Sequence, residues 1–126
     1  MSNRKPPIDE AQARKLLQRE RERIESSLAD LERLRRSELD EIDTATDTLD
    51  DGELIEEGEV DEALAVQLRA ELEAVERAEK RLEDGTYGFS VDSGEPIPAE
   101  RLEAIPWAER TTEEQERYER THGRPL

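Results

Sequence analysis

Leucine, isoleucine and valine recur at helical spacing in two separate stretches of the chain. In the first stretch they follow one another at three-, four- and seven-residue intervals, at Leu17, Ile24, Leu28, Leu31 and Leu34. The second stretch has the same kind of spacing at Leu64, Leu68, Leu72, Val75 and Leu82. Charged residues fill most positions between them, and so narrow an apolar stripe is typical of a helix that packs against one partner helix. The pattern therefore predicts two long amphipathic helices.

The two stripes have the register of an antiparallel hairpin. When Leu17 is placed opposite Leu82, the same register brings Ile24 opposite Val75, Leu31 opposite Leu68 and Leu34 near Ala65. A constant register is what two antiparallel helices require. We therefore predict a hairpin over residues 8–84, with its midpoint near residues 49–50 and its tip at about residues 39–60, after a flexible tail at residues 1–7. The first helix is expected to begin near Ile8, and Gly85 is expected to cap the second.

The predicted tip carries nearly all of the chain's excess charge. Between Ser37 and Leu68 there are 13 acidic residues and no Lys or Arg, in a chain of 126 residues whose net charge is −16. Gly52 and Gly58 are expected to interrupt helical structure there. Crowded carboxylates repel one another, so the tract is either a solvated loop that keeps the protein soluble or an acidic probe for a basic or metal-containing cavity.

Composition and charge exclude several classes of function. A net charge of −16 would repel a phosphate backbone, so direct binding of nucleic acid is not expected. No apolar run approaches membrane-spanning length and no signal peptide is indicated, so a cytoplasmic protein is expected. The chain has no Cys and a single His, His122, which is expected to be an idle surface residue. Without a phosphate-binding loop or a credible Ser–His–acid set, no enzymatic activity is expected, and the natural partner is a basic protein surface.

Residues 85–114 read GTYGFSVDSGEPIPAERLEAIPWAERTTEE. This segment closely resembles the signature of the DksA/TraR family, GTYGxCxxCGxxIxxxRLxAxPxAxxCxxC. The identical positions are Gly85, Thr86, Tyr87, Gly88, Gly94, Ile97, Arg101, Leu102, Ala104, Pro106 and Ala108. The four cysteine positions are vacant as metal ligands and hold Ser90, Ser93, Thr111 and Glu114. The chain is thus identified as a cysteine-less variant of that family.

The residues at the four cysteine positions are not expected to bind zinc. Structural zinc is held by thiolates or imidazoles in a closed tetrahedron, which three hydroxyls and one carboxylate do not supply. Instead, Thr111 and Glu114 fit a capping box, and Ser90 and Ser93 are suited to closing a tight turn with hydroxyl-to-backbone hydrogen bonds. A miniature apolar core is expected to replace the metal, formed by Tyr87, Phe89, Val91, Ile97, Leu102, Ile105 and Trp107. The alternative is that Phe89 and Trp107 form a binding patch.

The family resemblance implies a mainly α fold. Its parts are a long antiparallel coiled-coil hairpin, a small zinc-ribbon-like globule lacking metal ligands at residues 85–111, and a short C-terminal helix and tail at residues 112–126. The family's members regulate transcription by binding bacterial RNA polymerase and reaching into its secondary channel with the acidic hairpin tip, without reading DNA sequence. The resemblance therefore implies RNA polymerase as the partner and an indirect effect of tip carboxylates on polymerase-bound magnesium. No cofactor is expected, and zinc is not expected because its ligands are missing from the signature.

Two stretches compete for the family's tip motif, DxxDxA. In the first, Asp47 and Asp50 match and Gly52 replaces the alanine. In the second, Asp61 and Ala63 match and a glycine replaces the first aspartate. The first lies at the predicted midpoint of the hairpin and is favoured on that ground. The residues considered for partner binding at the tip are Asp47, Asp50, Asp51, Asp61 and Ala63.

The resemblance also implies contacts between the C-terminal helix and the rim of the polymerase channel, through Arg117, Tyr118 and Arg120. A second function remains open at this stage, namely an acidic coiled-coil interaction protein or stress-related adaptor with no role at the polymerase. The sequence also leaves open whether the alarmone ppGpp takes part, which promoters respond and in which direction, and whether the chain is a monomer or a weak dimer.

Overall fold

The computed structural model describes residues 5–44 and 51–123, and the side chains of residues 5–37 and 62–123. It contains four helices: α1 (Glu10–Thr44), α2 (Asp51–Asp84), α3 (Ala99–Ala104) and α4 (Thr112–His122). Within these residues the strand pairing is limited to one antiparallel bridge between Phe89 and Pro96. The chain is therefore mainly helical, as predicted, with a long hairpin, a small ribbon-like globule and a C-terminal helix.

Helices α1 and α2 run antiparallel. Ion pairs cross the hairpin and join Arg21 to Glu79 (2.6 Å), Arg23 to Glu71 (3.3 Å) and Arg35 to Glu62 (2.8 Å). Residues later in α1 thus pair with residues earlier in α2, which only an antiparallel arrangement allows. The Arg21–Glu79 pair lies one residue from the predicted register, in which Arg21 faces residue 78.

One continuous core joins the hairpin to the globule. Leu17, Ile24 and Val75 of the hairpin are fully buried, as are Ile97 and Leu102 of the globule, and all five belong to a single cluster. The expected miniature core is therefore an extension of the core at the hairpin base. Apolar surface from both parts is removed from water together, so the two parts stabilise each other.

Val91 does not take part in this core. Its side chain is 47% exposed, which is at odds with its predicted place beside the other apolar residues of the globule. The backbone of Val91 faces inward instead, since its N–H donates to the carbonyl of Glu109 at 2.9 Å. Phe89 and Trp107 are half-buried, and Trp107 packs against the core cluster.

The chain before α1 packs on the globule. Pro6 and Pro7 are half-buried, and a Cβ on Gly88 would lie 3.0 Å from Pro7 Cδ and 3.1 Å from Pro6 Cβ. Gly88 also has φ of +91°, a conformation that side-chain-bearing residues rarely adopt. Pro6 and Pro7, which belong to the predicted flexible tail at residues 1–7, thus lie against Gly88 of the globule; residues 1–4 lie outside the described residues.

The helices extend further into the predicted tip than expected. Helix α1 continues to Thr44, and α2 begins at Asp51 and passes through Gly52 and Gly58 without interruption. The interruption predicted at these glycines is wrong. A glycine inside a helix costs about 1 kcal/mol relative to alanine, and the strong helix formers around it outweigh that cost. Residues 45–50 lie outside the described residues.

The apolar seam fades along the hairpin away from the globule. Leu31 still packs against the core, whereas Leu34, which is predicted to lie near Ala65, is 56% exposed. The globule contacts the hairpin at its base, where Arg77 donates to Glu109 at 3.0 Å. Among the described side chains farther from the globule, Leu64 and Val66 are also open to solvent. None of the helices in the described part of the chain is long and apolar enough to cross a membrane.

Candidate functional site: a ribbon without cysteines

Ser90 and Ser93, at the first two cysteine positions of the signature, form a hydrogen-bonded turn. Ser90 is buried, and its Oγ accepts hydrogen bonds from the backbone N–H groups of Asp92 (3.1 Å) and Ser93 (3.2 Å). Ser93 Oγ accepts from the N–H of Glu95 at 3.2 Å. Gly94 completes the turn with φ of +78° and donates its N–H to the Ser90 carbonyl at 3.0 Å. The predicted turn, held by hydroxyl-to-backbone hydrogen bonds, is confirmed.

Thr111 and Glu114, at the other two cysteine positions of the signature, cap the N-terminus of α4. The N–H of Thr111 donates to Glu114 Oε1 at 2.9 Å, and the N–H of Glu114 donates to Thr111 Oγ1 at 3.3 Å. These reciprocal bonds form a capping box, as the sequence predicts, and they satisfy backbone donors that the first turn of a helix leaves unpaired.

Backbone and ionic contacts bring the two pairs together. The N–H of Val91, inside the first turn, donates to the carbonyl of Glu109 at 2.9 Å. Next to it, Arg110 Nε donates to Asp92 Oδ2 at 2.8 Å, and the Arg110 side chain is only 14% exposed. These contacts therefore join the serine turn to the segment that leads into α4. They bring the four cysteine positions of the signature close together.

The carboxylate of Glu114 is the centre of this cluster. Hydrogen bonds from the Ser93 side chain, the Thr111 backbone and the Ser90 side chain lower the pKa of Glu114 to about 2, and desolvation opposes them only in part. Glu114 is therefore ionised at neutral pH. Its Oε1 accepts the hydrogen bond from the Thr111 N–H that forms half of the capping box.

These residues do not fit the zinc that the signature implies. Hydroxyl oxygens and one carboxylate replace four thiolates, and zinc in structural sites selects sulfur or imidazole nitrogen. Across residues 5–37 and 62–123, the structure contains no group of three or more His, Cys, Asp or Glu side chains that could hold a metal ion.

A second polar cluster, which the sequence analysis did not identify, ties the same loop to α2. Glu109 accepts two hydrogen bonds from Arg77, at 3.0 and 3.1 Å, and one from Arg81 at 3.2 Å. Burial lowers the pKa of Arg81, and its Nε and Nη2 atoms are enclosed without a partner among the described residues. Glu109 occupies a variable position of the signature, so no motif pointed to it.

Tyr118 holds α4 in place and is less available than the sequence suggested. Its ring lies 3.8 Å below the Arg110 guanidinium carbon and stacks on His122 with a centroid separation of 4.1 Å. His122 is thus exposed but engaged with a neighbour. Arg117 and Arg120, on the same helix, are exposed to solvent. A groove of about 550 Å³ lies between α2 and α4, and Trp107 contributes to its wall.

Most of the candidate tip residues lie outside the residues or side chains that the structure describes. Asp47 and Asp50 lie outside the described residues, and the side chains of Asp51 and Asp61 do so as well, although α2 includes both backbones. Ala63 is exposed on α2. The 34 residues of α2 span about 50 Å at the usual helical rise, so Asp51 and the ribbon lie at opposite ends of the helix.

Residues 85–120 match the family described as the prokaryotic dksA/traR C4-type zinc finger. The chain is 42% identical over 66 residues to general stress protein 16O of Bacillus subtilis (strain 168), a match that covers 52% of this chain and 40% of that protein. It is also 42% identical over 66 residues to the RNA polymerase-binding transcription factor DksA of Caulobacter vibrioides (strain NA1000 / CB15N), covering 49% of this chain and 46% of that protein. The matches therefore span less than half the length of these relatives.

Transcription factor DksA2 from Pseudomonas aeruginosa aligns with 87% of this chain and 88% of its own, with 24% sequence identity and a TM-score of 0.49.

Proposed function

We propose that this chain, which belongs to the DksA/TraR family and lacks the cysteines of its signature, binds bacterial RNA polymerase and regulates transcription in the cytoplasm. The observation that carries the proposal is the 42% identity over 66 residues with the RNA polymerase-binding transcription factor DksA. The distribution of charge along the hairpin supports it, because a localised acidic end suits a basic cavity on a protein partner.

The proposed mechanism uses the two ends of the hairpin differently. The acidic tract of 13 residues between Ser37 and Leu68 steers the tip into the positively lined secondary channel of the polymerase. There Asp47 and Asp50, or alternatively Asp61, perturb the elements and magnesium of the active centre, since magnesium prefers oxygen ligands. No direct contact with DNA sequence is required, and neither is any catalytic step by this chain.

The ribbon and α4, at the opposite end of the hairpin, bind the channel rim. The capping box starts α4 directly after the ribbon, and the Arg110–Tyr118 contact joins the two. Arg117 and Arg120 point into solvent and offer two cations to the rim, whereas Tyr118 acts mainly by holding the helix. Participation of ppGpp is left open by this proposal.

Fluorescence anisotropy tests this function. It measures how tightly the labelled protein binds purified bacterial RNA polymerase core enzyme at two salt concentrations. The variant Asp47→Asn/Asp50→Asn/Asp61→Asn removes three tip charges. The matched control, Glu22→Gln/Glu83→Gln/Glu100→Gln, removes three charges from exposed positions away from the tip.

We expect salt-sensitive binding of the wild type, at least tenfold weaker binding of the tip variant, and near wild-type binding of the control. Equal weakening of both variants would show that net charge, not the tip, drives the association. Absence of binding by the wild type would reject the polymerase as the partner.

A second function is favoured by one observation on the hairpin surface. Leu34, Leu64 and Val66 are exposed on the outer half of the helices, at 56%, 43% and 38%. Exposed leucines on a hairpin suit an acidic coiled-coil adaptor that binds a partner through a helix face. Under that function, Leu34→Ser/Leu64→Ser abolishes partner binding while the tip variant leaves it intact; the polymerase proposal expects the reverse.

A further inference from the structure

We infer that one flank of the hairpin is a docking surface for a second copy of this chain, and that the two copies pack side by side and antiparallel. The flank carries Leu34 of α1 and Leu64 of α2, which are 56% and 43% exposed. The inference goes beyond the proposed function, because it applies whether or not the chain binds RNA polymerase.

The two leucines lie on the same flank of the hairpin. Leu34 follows Arg23 by eleven residues and Leu64 precedes Glu71 by seven, and these spacings are about three and about two turns of helix. Each leucine therefore shares a face of its helix with one member of the Arg23–Glu71 ion pair, which crosses the hairpin at 3.3 Å. Two exposed leucines on one flank form an apolar patch that a partner can cover.

The two leucines also lie at the same level along the hairpin. Arg35, the residue after Leu34, pairs at 2.8 Å with Glu62, which lies two residues before Leu64. Nearer the globule, α4 covers the α2 side of this flank, where Glu71 lines the groove between α2 and α4. A partner on this flank therefore lies over the leucine patch and along the α1 side.

The net charge of α1 changes sign along its length. Residues 14–36 contain eight Lys or Arg and five Asp or Glu. Farther out there is no Lys or Arg, and four acidic residues lie at 38–44 and seven at 51–62. Parallel copies would place acidic parts together, whereas antiparallel copies place each acidic part beside the basic stretch of the other. Charge therefore selects the antiparallel pair, in which each copy supplies both halves of the complementarity.

The leucine patch also determines where the two-fold axis lies. A two-fold interface joins the same patch of both copies, so the leucines of one copy meet those of the other. Asp51 precedes Leu64 by 13 residues and Arg21 precedes Leu34 by 13 residues, so they lie about 20 Å from the patch in opposite directions. The axis therefore also brings the acidic start of α2 beside residues 19–23, which contain three arginines.

The size of this contact predicts a weak, reversible dimer. The overlap extends about 20 Å to each side of the patch and is about 10 Å wide, the diameter of one helix, which corresponds to about 400 Å² on each copy. Stable interfaces bury about 800 Å² on each partner, and smaller ones are typical of transient association. We therefore expect monomers at low protein concentration and dimers at high concentration.

Sedimentation velocity over a range of protein concentrations tests the docking surface. We expect the wild type to change from monomer to dimer as the concentration rises, and Leu34→Ser/Leu64→Ser to remain monomeric. The matched control, Val66→Ser/Val91→Ser, replaces two other exposed apolar residues and should dimerise like the wild type. Val66 is a suitable control because residues two apart do not share a helix face. Circular dichroism checks that all three proteins have the same helix content.

Two outcomes of this experiment would overturn the inference. A wild type that stays monomeric at every concentration would leave the flank to a different partner. A dimer that persists in Leu34→Ser/Leu64→Ser would place the interface elsewhere on the molecule.

Pulsed electron paramagnetic resonance tests the orientation of the two copies. The chain has no Cys, so one introduced Cys carries a single nitroxide label on each copy. Gln18 is exposed and lies 16 residues before Leu34, so Gln18→Cys labels in the antiparallel dimer should be about 50 Å apart along the hairpin. Ser37→Cys labels, three residues from the axis, should lie within about 20 Å of each other. A distance of about 20 Å between Gln18→Cys labels would show parallel copies and would overturn the antiparallel arrangement.

Discussion

Glu109 accepts a hydrogen bond from Arg81 at 3.2 Å across the junction of the globule and α2, and both side chains are largely buried, at 20% and 13% exposure. Arg81 has no other hydrogen-bond partner for its side chain among the described residues, while Glu109 is also held by two bonds from Arg77. The two partners are therefore unequal: Arg81 depends on Glu109 more than Glu109 depends on Arg81.

This asymmetry predicts unequal effects of substitution. Glu109→Gln leaves the buried Arg81 charge without its counterion and should destabilise the protein by about 3 kcal/mol. Arg81→Met removes the charge together with its desolvation cost and leaves Glu109 paired with Arg77, so its effect should be below about 1 kcal/mol. Urea unfolding monitored by circular dichroism measures both. Glu113→Gln, an exposed carboxylate nearby, is the control, and a larger effect for Arg81→Met than for Glu109→Gln would contradict the prediction.

Glu114 should give the globule a specific dependence on pH. Its pKa is about 2 in the folded protein and 4.5 is the usual value, so the unfolded state binds the proton more readily. The stabilisation is fully present above about pH 4.5 and is lost as the pH falls towards 2. Because other carboxylates also titrate in this range, the measurement is the difference in unfolding free energy between the wild type and Glu114→Gln.

We expect that difference to be constant above pH 5 and to shrink as the pH is lowered to 2. Glu116→Gln, which changes an exposed carboxylate on the same helix, should show no comparable trend. A difference between the wild type and Glu114→Gln that does not vary with pH would contradict the assigned hydrogen bonds.

The turn and the capping box could be predicted from sequence because each depends on residues at most three apart. Ser90 reaches the backbone of Asp92 and Ser93, and Thr111 reaches Glu114, so residue type and spacing determine these contacts locally. The antiparallel hairpin was predictable for a related reason, since its apolar spacing is a regular signal along one helix face.

Other contacts depend on approach in three dimensions and carry no such local signal. The Arg81–Glu109 pair joins positions 28 apart, and the contact of Pro7 with Gly88 joins the chain's beginning to its ribbon. Leu34 continues the helical spacing of the apolar stripe and is nevertheless 56% exposed, which the spacing alone does not indicate.

Gly88 offers a test of the contact with the N-terminal prolines. Alanine at this position would adopt a positive φ and press against Pro6 and Pro7, whose atoms lie 3.1 and 3.0 Å from the added carbon. Gly85 has a similar φ of +79° with nothing within 4 Å, so Gly85→Ala measures the backbone strain alone. Strain of this kind costs on the order of 1 kcal/mol.

We therefore expect Gly88→Ala to lower the unfolding free energy more than Gly85→Ala does. Removal of residues 1–7 should abolish the excess, since it removes the prolines that the new methyl group meets. Equal effects of the two alanine substitutions in the full chain would show that the prolines give way freely and that their packing on Gly88 contributes little.

Within one turn of α4, Tyr118 has a structural role, whereas Arg117 and Arg120 have a proposed role in binding. Tyr118 lies beneath Arg110 and is half-buried, so Tyr118→Leu should lower the thermal midpoint by removing a cation–π contact worth about 0.5–1 kcal/mol. Arg117 and Arg120 are exposed, so Arg117→Ala/Arg120→Ala should leave that midpoint within experimental error.

If these arginines contact the channel rim, the same variant should bind RNA polymerase several-fold more weakly. The loss should come chiefly from slower association, because charges at an interface rim act on encounter more than on dissociation. Stopped-flow association rates and thermal unfolding of both variants check the two roles together. Unchanged polymerase binding by the arginine variant would remove α4 from the proposed interface while leaving the tip proposal to its own test.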